Sequence, residues 1–282
     1  MEFRKRRETP PADGPLPLGE LLRQVKRQAP LVHCITNYVT ARDCANLLLA
    51  CGASPVMADD VEEVAEITAV SSGLYLNLGT LHRSSASAML AAGTRAGEVG
   101  IPVLLDPVGV GASPWRLRRV QELLHLFTPS ILRVNLGEAL ALSAAGGREQ
   151  GVDSPAPASR AERLSAARAL ALHRRTAVLL SGPEDIVTDG QAAWCLPGGS
   201  DLMSSVTGTG CMLSVLCGVF AAVEPESVKA AMLASAFWKI CSRRAEEAAA
   251  GKGPGTFRTA LMDAAANLTA GDFAALAQIQ RL

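Results

Sequence analysis

The chain has no surplus of charge, no long apolar run and no paired-cysteine motif. Lys plus Arg and Asp plus Glu each number 27 in 282 residues, a formal net charge of zero. Nucleic acid and anionic membrane both select basic surfaces, so neither is expected as the main partner. No stretch reaches the ~18 uninterrupted apolar residues of a membrane span. The seven cysteines form no C-x-x-C and are odd in number. They read as reduced thiols, and the expected location is the cytoplasm. No four Cys and His residues fall in a zinc-ligand spacing. The G-x-x-x-x-G-K-[ST] phosphate loop and the G-x-S-x-G nucleophile elbow are also missing. Gly208-x-Gly210 has Leu213 where a dinucleotide fingerprint needs a third glycine. Residues 1–15 carry Arg4-Lys5-Arg6-Arg7 and Pro10-Pro11 with no apolar stretch after the charges. They are expected as a disordered basic tail ahead of a single domain over 16–282.

Against these absences stands an alternation of short β-rich runs with longer Ala/Leu-rich ones. Strands are expected at 31–36, 55–57, 73–78, 103–106, 131–135 and 177–181. Helices are expected at 41–50, 62–70, 86–99, 116–124 and 161–174. Such alternation predicts parallel strands joined by crossover helices, an α/β fold. Asp189-Gly190 lies between two strand-like runs, the signature of a hairpin and of antiparallel strands edging the sheet. The Gly/Ser/Pro/Ala-rich stretch 146–160 reads as a long surface loop. Beyond Gly208 the chain reads as wholly helical.

Open α/β sheets bind ligands at the carboxyl ends of their strands, so the polar residues there are the site candidates. Val206-Thr207-Gly208-Thr209-Gly210-Cys211 opens an apolar helix. Glycines let backbone N–H groups approach a ligand, and a helix start adds partial positive charge. The combination predicts a phosphate seat. Asp106, before Pro107-Val108-Gly109, either caps the next helix or stands near a metal-bound phosphate. Asn135 and Glu138 either begin a helix or supply hard oxygen ligands to Mg²⁺ and its waters. Ser181-Gly182 is a common turn whose hydroxyl also suits a nucleotide. Met57 is core by residue type, or lines a ring-shaped pocket with Asn37 and Asn77.

Taken together, His33-Cys34-Ile35-Thr36-Asn37-Tyr38-Val39, Gly52-Ala53-Ser54-Pro55-Val56-Met57-Ala58, Leu105-Asp106-Pro107-Val108-Gly109-Val110-Gly111-Ala112, Asp185-Ile186-Val187-Thr188-Asp189-Gly190 and Val206-Thr207-Gly208-Thr209-Gly210-Cys211 resemble the hydroxyethylthiazole kinases of the ribokinase-like superfamily. The match runs from about Leu31 to Gly218. The resemblance implies a three-layer αβα sandwich with a mostly parallel sheet and an antiparallel edge hairpin. It implies ATP- and Mg²⁺-dependent phosphorylation of 4-methyl-5-(2-hydroxyethyl)thiazole in thiamine salvage, by a homotrimer with active sites between subunits. Met57, Gly208 and Asn37 would contact the thiazole alcohol. Arg133, Ser181, Asn135, Thr209 and Gly210 would contact ATP, and Asp106 and Glu138 would serve the metal. Cys211 would occupy the position where most of the superfamily carries a catalytic Asp. Two departures stand out: Val134 replaces the usual glycine of Arg-Gly-Asn, and Ser181-Gly182-Pro183 replaces Thr-Gly-Glu. A β-branched residue disfavours positive φ, and Pro183 is expected to stiffen its loop. Other superfamily activities, a pyrimidine-alcohol kinase or a hydrate-repair lyase, and a silent thiazole- or nucleotide-binding protein are the competing readings.

Overall fold

A computed structural model describes residues 17–143 and 158–282. In chain order the elements are α1 (Leu18–Gln28), β1 (Leu31–Ile35), α2 (Ala41–Cys51), β2 (Ser54–Val56), α3 (Val64–Val70), β3 (Gly73–Asn77) and α4 (Arg83–Val99). They continue with β4 (Val103–Asp106), α5 (Pro114–Leu126), β5 (Ile131–Val134), α6 (Leu136–Ser143), α7 (Arg160–Arg174), β6 (Ala177–Leu180), β7 (Asp185–Thr188) and β8 (Ala193–Leu196). A 3₁₀ turn at Asp201–Ser205 leads into α8 (Thr209–Val223), α9 (Ser227–Ala248), α10 (Pro254–Asn267), α11 (Ala270–Leu276) and β9 (Gln280–Arg281). The expected tail 1–15 lies outside the described residues. So does most of the expected loop 146–160, whose last residue, Arg160, opens α7.

Among the described residues the strands form one sheet in the order β2-β1-β3-β4-β5-β6-β7-β8-β9. The first six pair in parallel, and β7, β8 and β9 pair antiparallel. The αβα sandwich with an antiparallel edge is therefore the observed architecture. One expectation fails: the segment after Gly208 is not wholly helical, because Gln280–Arg281 returns to pair with β8. That two-residue strand is exposed and held by a partner far away in sequence, so no local pattern announces it. The α1 helix adds to the expected set. Its buried face of Leu18, Leu21, Leu22 and Val25 carries the helical period.

Side-chain alternation along the strands divides the interior in two. Val32, Cys34, Tyr75, Leu104 and Leu179 face one core with α1, α2 and α8 to α11. Ile35, Leu74, Leu76, Leu105 and Val178 face the other with α3 to α7. Both faces are covered, which is why the inner strands read as continuous apolar runs. Val134 completes β5 as a wholly buried strand residue. Among the described residues the positive-φ non-glycine residues are Ala29 and Arg175, so position 134 needs no left-handed residue.

Helix starts and stops follow local chemistry. The α5 helix begins with Pro114 after Ser113, whose hydroxyl accepts the Arg116 N–H. The α7 helix begins with a reciprocal Ser159–Glu162 capping box. Gly52 ends α2 at φ 95°, a left-handed conformation that glycine takes without penalty.

Candidate active site

In-register pairing brings Asn77 beside Asp106, and Arg133 and Val134 beside Leu179 and Leu180. The carboxyl ends of β1, β3, β4, β5 and β6 therefore open on one edge of the sheet, and α8 starts above them.

The glycine turn is built as its sequence suggests. Gly208 is the N-cap of α8 at φ 85°, and a Cβ there would stand 2.3 Å from Thr40 Cγ2. The first intrahelical bond runs from Met212 N–H to the Gly208 carbonyl at 2.8 Å. The N–H groups of Thr209, Gly210 and Cys211 thus lie ahead of the helical ladder. Gly210 packs against the Arg133 guanidinium, where a Cβ would fall 2.7 Å from Nη2. Arg133 Nη2 donates to Ser181 Oγ at 2.7 Å, and Nη1 stands 3.6 Å from Asp106 Oδ1. Burial disfavours the Arg133 cation, but the carboxylates of Asp106 and Glu138 outweigh it and hold its pKa above the ordinary value.

Asp106 is fully buried. Its Oδ2 accepts from Ser214 Oγ at 2.7 Å and from Asn77 Nδ2 at 3.0 Å, whereas Oδ1 has no hydrogen-bond donor. Burial raises its pKa to about 6, opposed by Arg133 and reinforced by Glu138. Glu138 is buried too, and its carboxylate ties two loops together. Oε1 accepts from Gly109 N–H at 3.0 Å, and Oε2 from Asn135 N–H at 2.9 Å. Asn135 Oδ1 in turn accepts from Glu138 N–H at 2.8 Å. Asn135 and Glu138 thus form a reciprocal capping box. The helix-start reading of this pair and the site reading describe the same place: the box fixes a carboxylate at the strand ends.

Asn37, Asn77 and Cys211 form the third group. Asn37 Oδ1 accepts from Thr40 N–H at 3.0 Å, and its Nδ2 donates to Asn77 Oδ1 at 2.9 Å. The Cys211 sulfur lies 3.5 Å from Asn37 Nδ2 and 3.3 Å from Asn77 Nδ2, both amide donors. Burial first, then the Asp106 charge, raise the Cys211 pKa, so the helix start does not deliver a ready thiolate. Met57 follows β2, beside β1, and packs half-buried against the core. It leaves the sheet at the same end as Asn37.

Three contributors carry weaker signals in the sequence. Ser214, which holds Asp106, is a polar residue inside the apolar run of α8, and buried polar groups need a partner. Tyr75 reaches Asn77 at 2.8 Å and the Cys211 carbonyl at 3.3 Å. Arg116 stands in the first turn of α5, the dipole-unfavourable end for a cation. Its guanidinium donates to the carbonyls of Leu78, of Gly79 at 3.1 Å and of Val108 at 3.1 Å. It clamps the loops that follow β3 and β4.

Parallel strands ending in a glycine-rich helix start, a buried carboxylate and a guanidinium are the build of a ribokinase-like kinase. The fold superposes on pyridoxal kinase from Staphylococcus aureus, solved in complex with ADP. The TM-score is 0.57 at 15% identity, covering 76% of this chain and 87% of that one, a likeness of fold. A model of the hydroxyethylthiazole kinase family matches residues 22–271. The chain is 41% identical over 255 residues to hydroxyethylthiazole kinase from Clostridium beijerinckii, covering 89% of this chain and 92% of that one. It superposes with a TM-score of 0.85, at 35% identity, on the hydroxyethylthiazole kinase protein from Pyrococcus horikoshii OT3, covering 94% of this chain and 98% of that one. The chain belongs to the hydroxyethylthiazole kinase family.

Proposed function

We propose that the chain transfers the γ-phosphoryl group of ATP to the hydroxyl of 4-methyl-5-(2-hydroxyethyl)thiazole, in thiamine salvage. The observation that carries this reading is the convergence on Asp106 of two groups: Arg133, which also meets Gly210 at the start of α8 and Ser181, and Asn77, which bonds Asn37 and lies against the Cys211 sulfur. The first group suits a triphosphate and the second a small polar heterocycle. Gly208, Thr209 and Gly210 seat the transferring phosphoryl group, and Arg133 and Ser181 hold the phosphates beside it. Asn37, Met57 and Gly208 hold the alcohol for in-line attack. The oxygen of the alcohol bonds to the γ-phosphorus as the bond to the bridging oxygen breaks, releasing ADP. The hydroxyl proton passes to an oxygen of the transferring phosphoryl group, and from there to solvent.

Such transfers have loose transition states, so positioning and electrostatics contribute more than a strong base. Cys211, kept as the neutral thiol by its raised pKa, serves as a wall of the site and not as the base. Asp106 Oδ1, which accepts no hydrogen bond, fits a hard cation. No cluster of three His, Cys, Asp or Glu side chains among the described residues would cage a metal by itself. That combination suits Mg²⁺, which keeps waters and phosphate oxygens around one or two carboxylates. Asp106 would hold the ion, with Glu138 and Asn135 ordering its surroundings. When bound, Mg²⁺ neutralises phosphate charge.

The active unit is read as a homotrimer with sites between subunits. Tyr38 and Val39 are 79% and 54% exposed directly after Asn37, an apolar margin that a second copy would cover. Neither nucleic acid nor membrane is a proposed partner: charge is balanced, and no described helix is long and apolar enough to cross a membrane. The chain is read as one domain of a cytoplasmic enzyme, consistent with seven free cysteines.

An ADP-release assay with Mg²⁺-ATP and thiazole alcohol, pyrimidine alcohol or no acceptor tests the function. Turnover with the thiazole alcohol alone is expected. Preference for the pyrimidine alcohol, or ADP release independent of acceptor, refutes the reading. Sedimentation velocity tests the trimer.

A further inference from the structure

His33 lies on β1, wholly buried, and none of the contacts described above uses it. Its ring makes two bonds, Nδ1 to Thr68 Oγ1 at 2.8 Å and Nε2 to the Ala58 carbonyl at 2.8 Å. A carbonyl only accepts, so Nε2 carries the proton and Nδ1 accepts from the Thr68 hydroxyl. Thr68 is itself wholly buried in α3. The imidazole therefore bolts the segment after β2 to both the sheet and α3. That segment needs a bolt. The β2 strand is a three-residue edge strand of half-buried residues, and Val61 farther along is 45% exposed. Packing alone would be served by an apolar side chain, without the cost of burying an imidazole. What a hydrogen-bonded ring adds is direction and a fixed length. The residue next to Ala58 is Met57.

We infer that His33 is a positioning residue for the acceptor pocket: by holding the Ala58 carbonyl it fixes where Met57 stands, and so the fit of the heterocyclic alcohol, without touching the alcohol itself. The inference rests on the reading of Met57 as an acceptor contact. Arg133 and Ser181 lie on the ends of β5 and β6, away from β1 and β2 in the sheet, so the nucleotide contacts do not touch this bolt.

The experiment measures KM for thiazole alcohol, KM for ATP and kcat in the wild-type chain and in His33→Leu, His33→Gln and Thr68→Val. His33→Leu removes both bonds and is expected to raise the alcohol KM about 5-fold or more, with the ATP KM within about 2-fold. Thr68→Val removes only the hydroxyl and is expected to raise the alcohol KM about 2- to 4-fold. His33→Gln restores an N–H toward Ala58 and is expected to return the alcohol KM to within about 2-fold of wild type. If His33→Leu does not fold, Thr68→Val decides. An alcohol KM that does not move in the folded variants, or a parallel rise in both KM values, overturns the inference. A wild-type chain that phosphorylates no thiazole alcohol removes the functional reading and the inference with it. A wild-type chain that does so beside variants with unchanged alcohol KM removes the inference alone.

Discussion

Gly210→Ala separates the chemistry of the glycine turn from its folding role. Gly210 has ordinary backbone geometry, unlike Gly208 at φ 85°, so alanine fits the backbone. The new Cβ would stand 2.7 Å and 2.9 Å from the two terminal nitrogens of Arg133. Ordinary contact begins near 3.4 Å, so the guanidinium must retreat by about half an ångström or more. Its 2.7 Å bond to Ser181 Oγ would then stretch past the useful range. A guanidinium moved out of place also loses its charge-assisted bond to a phosphate, about 1.5–3 kcal/mol, which corresponds to a rise of about 10- to 150-fold in the ATP KM. Stability falls by less than affinity does. Alanine gains up to about 1 kcal/mol over glycine in a helix, which offsets part of the lost Arg133–Ser181 bond. Gly208→Ala makes the contrast: a left-handed alanine costs about 1–2 kcal/mol, and its Cβ would meet Thr40 Cγ2 at 2.3 Å. Coupled ADP-release kinetics and thermal unfolding on both variants give the test. Gly210→Ala is expected to lose ATP affinity with a smaller loss of Tm than Gly208→Ala. An unchanged ATP KM in Gly210→Ala would refute the placement of the nucleotide against Arg133 and α8.

Further outcomes follow from the same geometry. Cys211→Asp is expected to retain or raise turnover, because burial and Asp106 make the thiol a poor base; collapse of kcat with ATP binding intact would count against this account. Asp106 has its pKa raised to about 6, and the ionised form is the one suited to a cation, so kcat/KM should fall as pH drops through about 6. The sign for stability is the reverse: a carboxylate with a raised folded pKa favours the free protein at acid pH, and that contribution fades as pH rises from about 4 to about 6. Asp106→Asn should flatten this part of the stability–pH curve, measured by urea unfolding without nucleotide; an unaltered slope would show that Asp106 does not titrate there. Arg116→Met leaves three loop carbonyls without their guanidinium donor and is expected to cost about 2–4 kcal/mol in denaturant unfolding, with Arg116→Lys recovering part. No loss in Arg116→Met would remove Arg116 as the clamp of the β3 and β4 loops.

Much of this protein was legible as pattern. Alternating β-rich and Ala/Leu-rich runs specify crossover strands because period-2 and period-3.6 burial are local properties. Asp189-Gly190 specified a hairpin because its turn chemistry is local too. Asp106, Asn135 and Ser181 stand out because open sheets put polar groups at strand ends, and the glycines at 208 and 210 because they open an apolar helix. Other features depended on residues far apart in the chain. The 3.6 Å approach of Arg133 to Asp106, and the packing of Arg133 on Gly210, exist only once β4, β5 and α8 share an edge. Glu138 looked like a metal ligand or a helix-start acid, and folding put both its oxygens on backbone N–H groups 29 and 3 residues away. His33 and Thr68 are 35 residues apart, and nothing in either neighbourhood pairs them. Local spacing decides which residues can form an element and end it; only the register of the assembled sheet decides which of those ends meet.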